Sequence, residues 1–349
     1  MAGGTGGHVF PALAVARELR DRGWEVNWMG TPDSFESRTV PAAGFPLETV
    51  AAHRLRGQGL AGLALAPFRL ARAVVQAWSV LGRLRPQVVL GMGGFVTAPG
   101  GLASRLRGIP LVIHEQNTIP GMANRWLAKF ASRVLEAFPG SFPARIGAVA
   151  TGNPVRRELL DLPPPQARLA DREGPARVLV LGGSLGALAL NEQVPAALAR
   201  TGLPLEIRHQ AGRDKAEVAR ARYREAGLEA RVTEFIDDMA EAYGWADLVI
   251  CRAGAITVSE LAVVGVASVL VPYPHAVDDH QTRNAAFLVE GGAARLVPQS
   301  ELEPEATAKL LRELLSDRGR LAEMAQRARA LGRPDATEAV AAHCMEVAA

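Results

Sequence analysis

The chain has 349 residues, of which 48% are apolar and 21% are charged, and its formal net charge is +3. This composition excludes a disordered chain, and the length exceeds what one hydrophobic core usually serves, so two domains are expected. The small positive excess gives no indication of a nucleic-acid partner, which would need a concentrated basic patch. Cys251 and Cys344 lie far apart without metal-ligand spacing, which argues against a disulfide scaffold or a zinc site and favours a reducing compartment.

The start of the chain departs from the usual order of elements. Only Met1 and Ala2 precede a glycine loop that should follow a first strand. We expect this strand to be missing and the first domain to be less stable for it; alternatively, the sheet begins with what would ordinarily be its second strand. No signal peptide is visible, and the longest nearly apolar run, 261–271, is too short to span a bilayer. A soluble or peripheral protein is expected, with this run forming a helix end and a buried strand.

Three glycine-rich loops are each predicted to open a helix. They are AGGTGGHVFP (2–11), whose helix has Pro11 in its first turn, GMGGFVTAPGG (91–101) and GGSLGA (182–187). Glycine lets backbone amides approach a phosphate closely, and the helix N-terminus adds a partial positive charge. A single loop of this kind could be a tight turn only, but three together favour a phosphate-bearing ligand. None matches the dinucleotide fingerprint or the P-loop of NTPases.

Short apolar runs alternate with amphipathic helical stretches along almost the whole chain. Such Val/Ile/Leu-rich runs are typical of parallel strands covered on both faces, so the pattern predicts two doubly wound α/β domains. Ligands of such sheets bind at the carboxyl ends of the strands, which predicts a cleft between the domains. The runs are 25–30, 87–92, 110–115 and 133–138 in the first half, and 177–183, 205–210, 231–236, 247–251 and 268–273 in the second.

The domain boundary is predicted within 151–177, where Pro163, Pro164 and Pro165 cannot continue a helix or a central strand. We place the first domain at 1–155 and the second at 156–333. The final stretch, about 334–349, is helical in composition.

Eight blocks of the sequence resemble, in order and spacing, the MurG family of N-acetylglucosaminyltransferases. The blocks are GGTGGHVFPALAVA, GMGGFVTAPGG, HEQN, TGNPVR, GGSLGA, EFIDDM, CRAGAITVSE and PYPHAVDDHQTRNA, and together they cover essentially the whole chain. The resemblance implies the GT-B fold, in which two Rossmann-like domains face a central cleft and the C-terminal helix packs back on the first domain. No metal or other cofactor is expected.

The resemblance also implies the reaction. N-acetylglucosamine would pass from UDP-N-acetylglucosamine, with inversion, to the 4-hydroxyl of undecaprenyl-pyrophosphoryl N-acetylmuramoyl-pentapeptide, a lipid-linked precursor of peptidoglycan. The first domain would face the acceptor and the second would bind the UDP-sugar. The protein would be peripheral, at the cytoplasmic face of the inner membrane.

Site residues carried over from the family fall into a donor set and an acceptor set. In the donor set, Ser184 and Arg156 would meet the UDP phosphates, Ile236 the uracil, and Glu260 the ribose hydroxyls. The remaining nucleotide-lining residues would be Ala255, Ile256, Thr257, Val258 and Ser259; Gln281 and Asn117 would hold the sugar; Thr5, Gly6 and Gly7 would close over the reacting groups; and Gly4, Gly93 and Gly94 would belong to the acceptor and pyrophosphate loops.

Several of these residues have a purely structural interpretation. Thr257 and Glu260 form T-x-x-E before an apolar helix, which is also the signature of a capping box. Ser184 could cap its helix, and Asn117 could tie down a turn. The resemblance favours ligand binding in each case.

His8 is the predicted general base, because histidine is the side chain that changes its charge nearest neutral pH. His8 also follows directly after the first glycine loop. Alternatively, it orients the acceptor pyrophosphate. His114 and Glu115 are weaker candidates for the base. The sequence of Asp278, Asp279 and His280 resembles a metal cluster, but in this motif it is expected to shape a sugar-binding loop.

The stretch 62–86 places Phe68 and Trp78 among arginines, which favours contact with an anionic membrane surface. The same spacing also suits an ordinary core helix. Phe95 is a departure from many relatives, which have tyrosine there, so no role can rest on that hydroxyl.

Two other functions remain open at this point. A UDP-N-acetylglucosamine 2-epimerase would share the fold and the donor but would have no use for a membrane face. A non-catalytic nucleotide-sugar binding protein would bind the donor and leave it intact.

Overall fold

The computed structural model describes residues 1–52, 60–183 and 186–349, and for residues 60–64 and 277 it describes the backbone alone. The chain divides into two compact units. Unit 1 comprises Met1–Arg156 and Pro334–Ala349, and unit 2 comprises Arg157–Arg333.

Helices and strands alternate through both units. Unit 1 carries α1 (Gly6–Asp21), β1 (Trp28–Gly30), α2 (Phe35–Ala42), β2 (Leu47–Thr49), α3 (Leu60–Leu84), β3 (Val89–Gly91), α4 (Thr97–Leu106), β4 (Leu111–Glu115), α5 (Met122–Leu127), β5 (Arg133–Glu136) and β6 (Val149–Ala150). Unit 2 carries α6 (Pro165–Leu169), β7 (Ala176–Leu181), α7 (Leu188–Arg200), β8 (Leu205–Gln210), α8 (Ala216–Glu225), β9 (Arg231–Thr233), α9 (Met239–Trp245), β10 (Leu248–Cys251), α10 (Ala255–Val264), β11 (Ala267–Leu270), α11 (His280–Glu290), β12 (Ala294–Leu296), α12 (Pro304–Leu315) and α13 (Arg318–Leu331). The last helix, α14 (Ala336–Ala348), belongs to unit 1.

The sheet of unit 2 has the doubly wound order. Its strands are hydrogen-bonded in the order β12-β11-β10-β7-β8-β9, and the pairs run parallel. The chain order therefore reverses between β7 and β10, which is the topological switch point where sheets of this kind bind ligands. Alternate residues of β7 face opposite sides of the sheet, yet Val178, Leu179 and Val180 are all fully buried, because helices cover both faces.

The sheet of unit 1 is built in two parts. Strands β3-β4-β5-β6 form one parallel sheet and β1-β2 form another. Val112 and Leu135 pack in the cluster that holds residues of α1 and α14, whereas Ile113 and Val134 pack in the cluster that holds residues of α3 and α4. This unit, too, has helices on both faces of its sheet, and the predicted α/β architecture is confirmed in both units.

Residues Met1–Gly3 lie between the two parts of the sheet of unit 1. The Met92 N–H donates to the Met1 carbonyl (2.8 Å) and the Met1 amine donates to the Leu90 carbonyl (2.7 Å). On the other side, the Trp28 indole N–H donates to the Ala2 carbonyl (3.0 Å). Residues 1–3, where the sequence analysis expected a strand to be missing, therefore make strand-like hydrogen bonds beside β3.

The nine predicted strand runs each overlap an observed strand, and the helix-then-strand interpretation of 261–271 is confirmed. Strands β2, β6 and β12 were missed. The placement of Pro11 in the first turn of its helix was wrong, because α1 already begins at Gly6 and Pro11 lies inside it. The proline run at 163–165 lies inside unit 2, where Pro165 is the first residue of α6.

The C-terminal helix α14 packs against α1, and Val340, Ala341 and Cys344 are fully buried in the core that they share. In unit 2, Cys251 ends β10 and is also buried. Burial raises the pKa of both thiols to about 12. None of the helices among the described residues is long and apolar enough to span a bilayer.

Candidate functional site

The carboxyl ends of β7 and β10 meet at the switch point of unit 2. Leu181 and Cys251 are paired in register, so the chain leaves both strands at the same level, into Gly182 and Arg252. Helix α10 follows at once, with Gly254 as its N-cap, and among the described residues no side chain caps it. The first-turn amides of α10 therefore present their N–H groups and a partial positive charge at this edge of the sheet, which suits a phosphate or another anion.

The third glycine loop lies beside this helix terminus. The Gly182 N–H donates to the Gln210 carbonyl (2.8 Å) and the Gly183 N–H to the Gln210 side chain (3.3 Å), which tie the loop to the end of β8. Gly186 has φ +71°, and a Cβ there would lie 2.4 Å from the Ala211 carbonyl oxygen. The predicted phosphate contact Ser184 lies outside the described residues.

The capping-box interpretation of Thr257 and Glu260 is wrong. Thr257 is the third residue of α10 and not its N-cap, so Glu260 lies in the second turn of the helix. The Glu260 side chain is only 4% exposed and accepts a hydrogen bond from the Tyr243 hydroxyl (3.1 Å). Burial is the main cause of the raised pKa of Cys251, and the Glu260 carboxylate is the second cause. This carboxylate therefore lies near the end of β10.

Two other predicted donor residues follow strands that end at the same edge of the sheet. Gln281 lies in the first turn of α11, and its side-chain oxygen accepts from the Tyr273 N–H (2.9 Å). Ile236 lies half-buried in the loop after β9. Arg252 was missed by the sequence analysis; its guanidinium donates to the Val271 and Pro272 carbonyls (3.1 and 3.0 Å) and so fixes the loop that carries Gln281.

The Asp278–His280 segment leads into α11 through two residues in the left-handed conformation. Asp278 and Asp279 both have positive φ (53° and 51°), and the Thr282 hydroxyl donates to the Asp279 carboxylate (2.7 Å). In the parts of the chain that the structure describes, no group of three or more His, Cys, Asp or Glu side chains is arranged to hold a metal ion.

In unit 1, the first and second glycine loops touch through their backbones. The Gly3 N–H donates to the Gly93 carbonyl (3.3 Å), and a Cβ on Gly94 would lie 2.3 Å from the Gly3 carbonyl oxygen. Gly93 and Gly94 have φ of +93° and +87°, a conformation that favours glycine. The contact therefore requires glycine at these positions for two separate reasons, close approach and backbone conformation.

The Glu36 side chain binds the backbone of the first glycine loop. Its side chain is fully buried and accepts from the Gly4 N–H (2.9 Å) and from the Thr31 N–H and hydroxyl (3.0 and 2.6 Å). Sequence reasoning did not identify Glu36, because nothing in its spacing links it to a loop more than thirty residues earlier in the chain.

His8 is the third residue of α1, and Thr5 is the N-cap of that helix. The imidazole lies directly over Gly93: a Cβ there would be 2.5 Å from His8 Nδ1. His8 Nδ1 lies 2.9 Å from Gln116 Oε1. Thr5 and Gly7 are exposed, and Gly6 lies under the Phe10 ring.

The two weaker candidates for the base are framework residues. His114 is fully buried, burial lowers its pKa to about 4, and its Nε2 lies 2.9 Å from the Gly152 carbonyl oxygen. Glu115 is 2% exposed, and its carboxylate accepts from the Gly121 N–H (3.0 Å) and the Asn124 amide (2.9 Å). It also accepts from the backbone and the side chain of Asn117 (3.0 and 3.3 Å), so that Asn117 is fastened to the end of β4.

Arg156 is the last residue of unit 1 before the chain enters unit 2. Its guanidinium lies over the Phe10 ring, 5.4 Å from the ring centroid, and Phe10 in turn packs edge-on against Phe35. Phe95 is exposed next to Gly4.

One face of α3 is apolar and exposed, together with the end of α4. Ala73 and Ala77 of α3 are buried in the core of unit 1, whereas Phe68, Val75 and Trp78 on the opposite face are 75%, 67% and 38% exposed. Leu106 of α4 is also exposed, and the Arg107 guanidinium stacks over the Trp78 ring (4.2 Å). The exposed residues Phe68, Val75, Trp78 and Leu106, together with the half-buried Arg107, are called the α3–α4 surface below.

The predicted residues thus gather in two sets. His8, Gly93, Gly94 and the first glycine loop form one set in unit 1, with Asn117 fastened nearby. The α10 residues, the third glycine loop and Gln281 form the other at the carboxyl edge of the sheet in unit 2.

Comparisons with known proteins agree with these features. The glycosyltransferase family 28 N-terminal domain matches residues 1–136, and the family 28 C-terminal domain matches residues 177–340. The chain is 56% identical over 351 residues to the UDP-N-acetylglucosamine--N-acetylmuramyl-(pentapeptide) pyrophosphoryl-undecaprenol N-acetylglucosamine transferase of Marinobacter nauticus, covering 100% of this chain and 96% of the relative. The enzyme of that name from Stutzerimonas stutzeri is 56% identical over 352 residues, with 100% and 98% covered.

Solved structures give the same result. The crystal structure of Acinetobacter baumannii MurG matches with a TM-score of 0.87 and 43% identity, covering 99% of this chain and 98% of that one. A UDP complex of Os79 from O. sativa matches with a TM-score of 0.70 at 14% identity over 98% of each chain, which shows a shared fold only.

The two doubly wound units and the loops at their strand ends define a glycosyltransferase of the GT-B fold. Within that class, the chain belongs to the MurG family.

Proposed function

We propose that the protein transfers N-acetylglucosamine from UDP-N-acetylglucosamine to the 4-hydroxyl of undecaprenyl-pyrophosphoryl N-acetylmuramoyl-pentapeptide, with inversion at the anomeric carbon. The observation that carries this proposal is the uncapped N-terminus of α10 beside the third glycine loop at the switch point of unit 2, seen among the described residues. The two relatives, matched over 96% and 98% of their length, carry the name of this reaction. The two sets of site residues supply the groups that the reaction needs.

Unit 2 would hold the UDP part of the donor. The first-turn amides of α10 suit the two phosphates, because their N–H groups offer positive potential without a side-chain charge. Buried Glu260 would accept hydrogen bonds from the ribose hydroxyls, and Ile236 would contact the uracil. The other proposed donor contacts are Ala255, Ile256, Thr257, Val258, Ser259, Ser184 and Arg156 around the nucleotide and Gln281 and Asn117 at the sugar, with Thr5, Gly6 and Gly7 closing over the reacting groups.

Unit 1 would supply the base and the acceptor loops. The acceptor hydroxyl oxygen forms a bond to the anomeric carbon while the bond from that carbon to UDP breaks, and UDP leaves with the bonding electron pair. His8 takes the hydroxyl proton. Gly4, Gly93 and Gly94 would line the loops that face the acceptor pyrophosphate, where the absence of side chains lets a phosphate approach the backbone closely. The Gly4 N–H itself is donated to Glu36.

The α3–α4 surface would dock the protein on the anionic, cytoplasmic face of the inner membrane, where a lipid-linked acceptor is held. Exposed Phe68 and Trp78 can insert among the acyl chains, while Arg107 lies beside Trp78 and can meet lipid phosphates.

The test is UDP release from UDP-N-acetylglucosamine, with and without a lipid-linked muramoyl-pentapeptide analogue. We expect release only with the acceptor present, together with a disaccharide product. Release or isomerisation of the donor without acceptor would instead support an epimerase. Binding of the donor without turnover would support a non-catalytic binding protein.

A further inference from the structure

A continuous chain of hydrogen bonds runs from the backbone of unit 1 to His8. The Gly152 carbonyl oxygen lies 2.9 Å from His114 Nε2, and His114 Nδ1 lies 3.2 Å from Gln116 Nε2. Gln116 Oε1 then lies 2.9 Å from His8 Nδ1. His114 and Gln116 are 0% and 1% exposed, so water does not compete for these bonds. The chain ends on the imidazole of the proposed base.

The first link fixes the proton on His114. The Gly152 carbonyl can only accept, so His114 Nε2 carries a hydrogen. Burial lowers the pKa of His114 to about 4, and the ring is therefore neutral at neutral pH. A neutral imidazole carries one hydrogen, so His114 Nδ1 is an acceptor.

The second link fixes the amide of Gln116. One end of this amide lies 3.2 Å from His114 Nδ1 and 3.3 Å from the His114 carbonyl oxygen, and both of these atoms are acceptors. That end must therefore be the NH₂ group, and the carbonyl oxygen of the amide must face His8. The backbone of Gln116 is held as well, because its carbonyl accepts from the Asn153 amide (3.0 Å).

We propose that Gln116 is a positioning residue that fixes the tautomer and orientation of His8, so that Nε2 is the atom that takes the acceptor proton. A carbonyl oxygen at Nδ1 requires a hydrogen on Nδ1, which leaves the lone pair of neutral His8 on Nε2. The ring lies against Gly93, where an added Cβ would be 2.5 Å from His8 Nδ1. The assignment of Nε2 as the reacting atom rests on the proposed function of His8; the tautomer itself does not.

The tautomer is tested by nitrogen NMR of the protein labelled in its histidines, with the His8 signals identified by their loss in His8→Ala. For the neutral form of His8, the expected result is a hydrogen on Nδ1. In Gln116→Met, which keeps the length of the side chain but neither donates nor accepts as an amide does, the expected result is a mixture of tautomers. Gln116→Glu keeps an acceptor for His8 and should keep the tautomer. A hydrogen on Nε2 in the unsubstituted protein would overturn the proposal without any variant.

Kinetics test the consequence for catalysis. Gln116→Met is expected to lower kcat by about tenfold or more with little change in KM for the UDP-sugar. In a His8→Ala background the same substitution should lower kcat no further, whereas a merely structural role would add its own loss. Gln193→Met on α7 of unit 2 is the matched control for the exchange of an amide for a thioether.

The two possible failures are distinguishable. If His8→Ala keeps full activity, the proposed base is wrong, and the NMR experiment still decides the tautomer. If His8→Ala is inactive while Gln116→Met changes neither the His8 spectrum nor kcat, the role of Gln116 is wrong and that of His8 stands.

Discussion

His8 is constrained on three sides. Its amide belongs to the first turn of α1, its ring lies on Gly93, and its Nδ1 faces a buried amide oxygen. A side chain held in one orientation loses little freedom when substrate binds, which favours proton transfer in a defined geometry.

Replacing His8 by Ala is expected to lower kcat by about 10²- to 10⁴-fold, the usual contribution of a general base. KM for the UDP-sugar should change little, since the α10 site lies in unit 2. Steady-state UDP release with the lipid-linked acceptor analogue measures both constants. An unchanged kcat would favour the interpretation of His8 as a ligand of the acceptor pyrophosphate.

Gly93→Ala is expected to lower activity because the new Cβ would lie 2.5 Å from His8 Nδ1 and displace the imidazole. Gly23→Ala is the matched control: Gly23 has φ +85°, close to the +93° of Gly93, and within the described residues a Cβ there would have no neighbour within 4 Å. Both variants should lose about 1–2 kcal/mol of stability from the left-handed backbone. Only Gly93→Ala should lose kcat; equal losses of kcat in the two would contradict the steric argument.

Glu36 gives unit 1 a dependence on pH. Burial alone would raise the pKa of Glu36, but hydrogen bonds from the Thr31 side chain and the Gly4 and Thr31 backbones lower it below its usual 4.5. The folded state thus binds the proton less well than the unfolded state, so the stabilisation is complete above pH 4.5 and is lost as the pH falls below that value. We expect Glu36→Gln to cost about 1–3 kcal/mol at neutral pH.

Hydrogen exchange of peptides from unit 1, followed as the pH is lowered, measures this effect. The difference between the unsubstituted protein and Glu36→Gln should shrink toward acid pH. Glu305→Gln, at a carboxylate in unit 2 that is 91% exposed, should show no such difference at any pH. A difference between Glu36 and Gln that stayed constant with pH would mean that the charge of Glu36 contributes nothing.

At the scale of the element, α3 has two faces with different surroundings. One stripe of it is ordinary core and the other is exposed and apolar, because residues four apart along a helix share a face. Phe68→Ala and Trp78→Ala are each expected to weaken binding to anionic vesicles. The expected loss of binding free energy is roughly 1.5–3 kcal/mol, which is the value for full burial of such a ring.

Sedimentation with vesicles measures this loss, and UDP affinity should stay unchanged. Phe235→Ala removes an exposed ring in unit 2 and serves as the control. Vesicle binding that survives loss of both Phe68 and Trp78 would contradict the placement of the membrane contact.

The elements also show what the sequence could not predict. Runs such as 247–251 were recognised because a buried strand is almost continuously apolar, whereas β6 has two residues and offers no period to read. Thr257 was open to misinterpretation because its spacing to Glu260 matches a cap, while the true N-cap, Gly254, has no side chain to signal the role. His8 follows a glycine loop and could be found, but Gln116 and Glu36 act through contacts between distant segments.

At the scale of the whole molecule, the chain builds one architecture twice. In each unit a glycine loop leads into a helix at the carboxyl edge of a parallel sheet. The helix that follows the loop of unit 1 carries His8 in its first turn. The loop of unit 2 lies beside the N-terminus of α10, which no side chain caps among the described residues. In the proposed reaction, the same fold would supply a proton acceptor in one unit and an anion site in the other.

The two cysteines make the units separately measurable. Cys251 is buried in unit 2 and Cys344 in unit 1, and with thiol pKa values near 12 neither reacts until its surroundings open. UDP is expected to slow modification of Cys251 by a thiol reagent in mild denaturant, since a ligand of unit 2 stabilises that unit by mass action. Modification of Cys344 should proceed at its former rate; slowing of Cys344 alone would assign the nucleotide to unit 1.

Each of the two thiols therefore reports on the opening of the unit that contains it. A single reaction mixture, quenched over time and resolved by peptide mass, yields one opening rate for each half of the polypeptide, with no label or added residue. Every variant discussed above can therefore be assigned to the half it weakens before any substrate is synthesised.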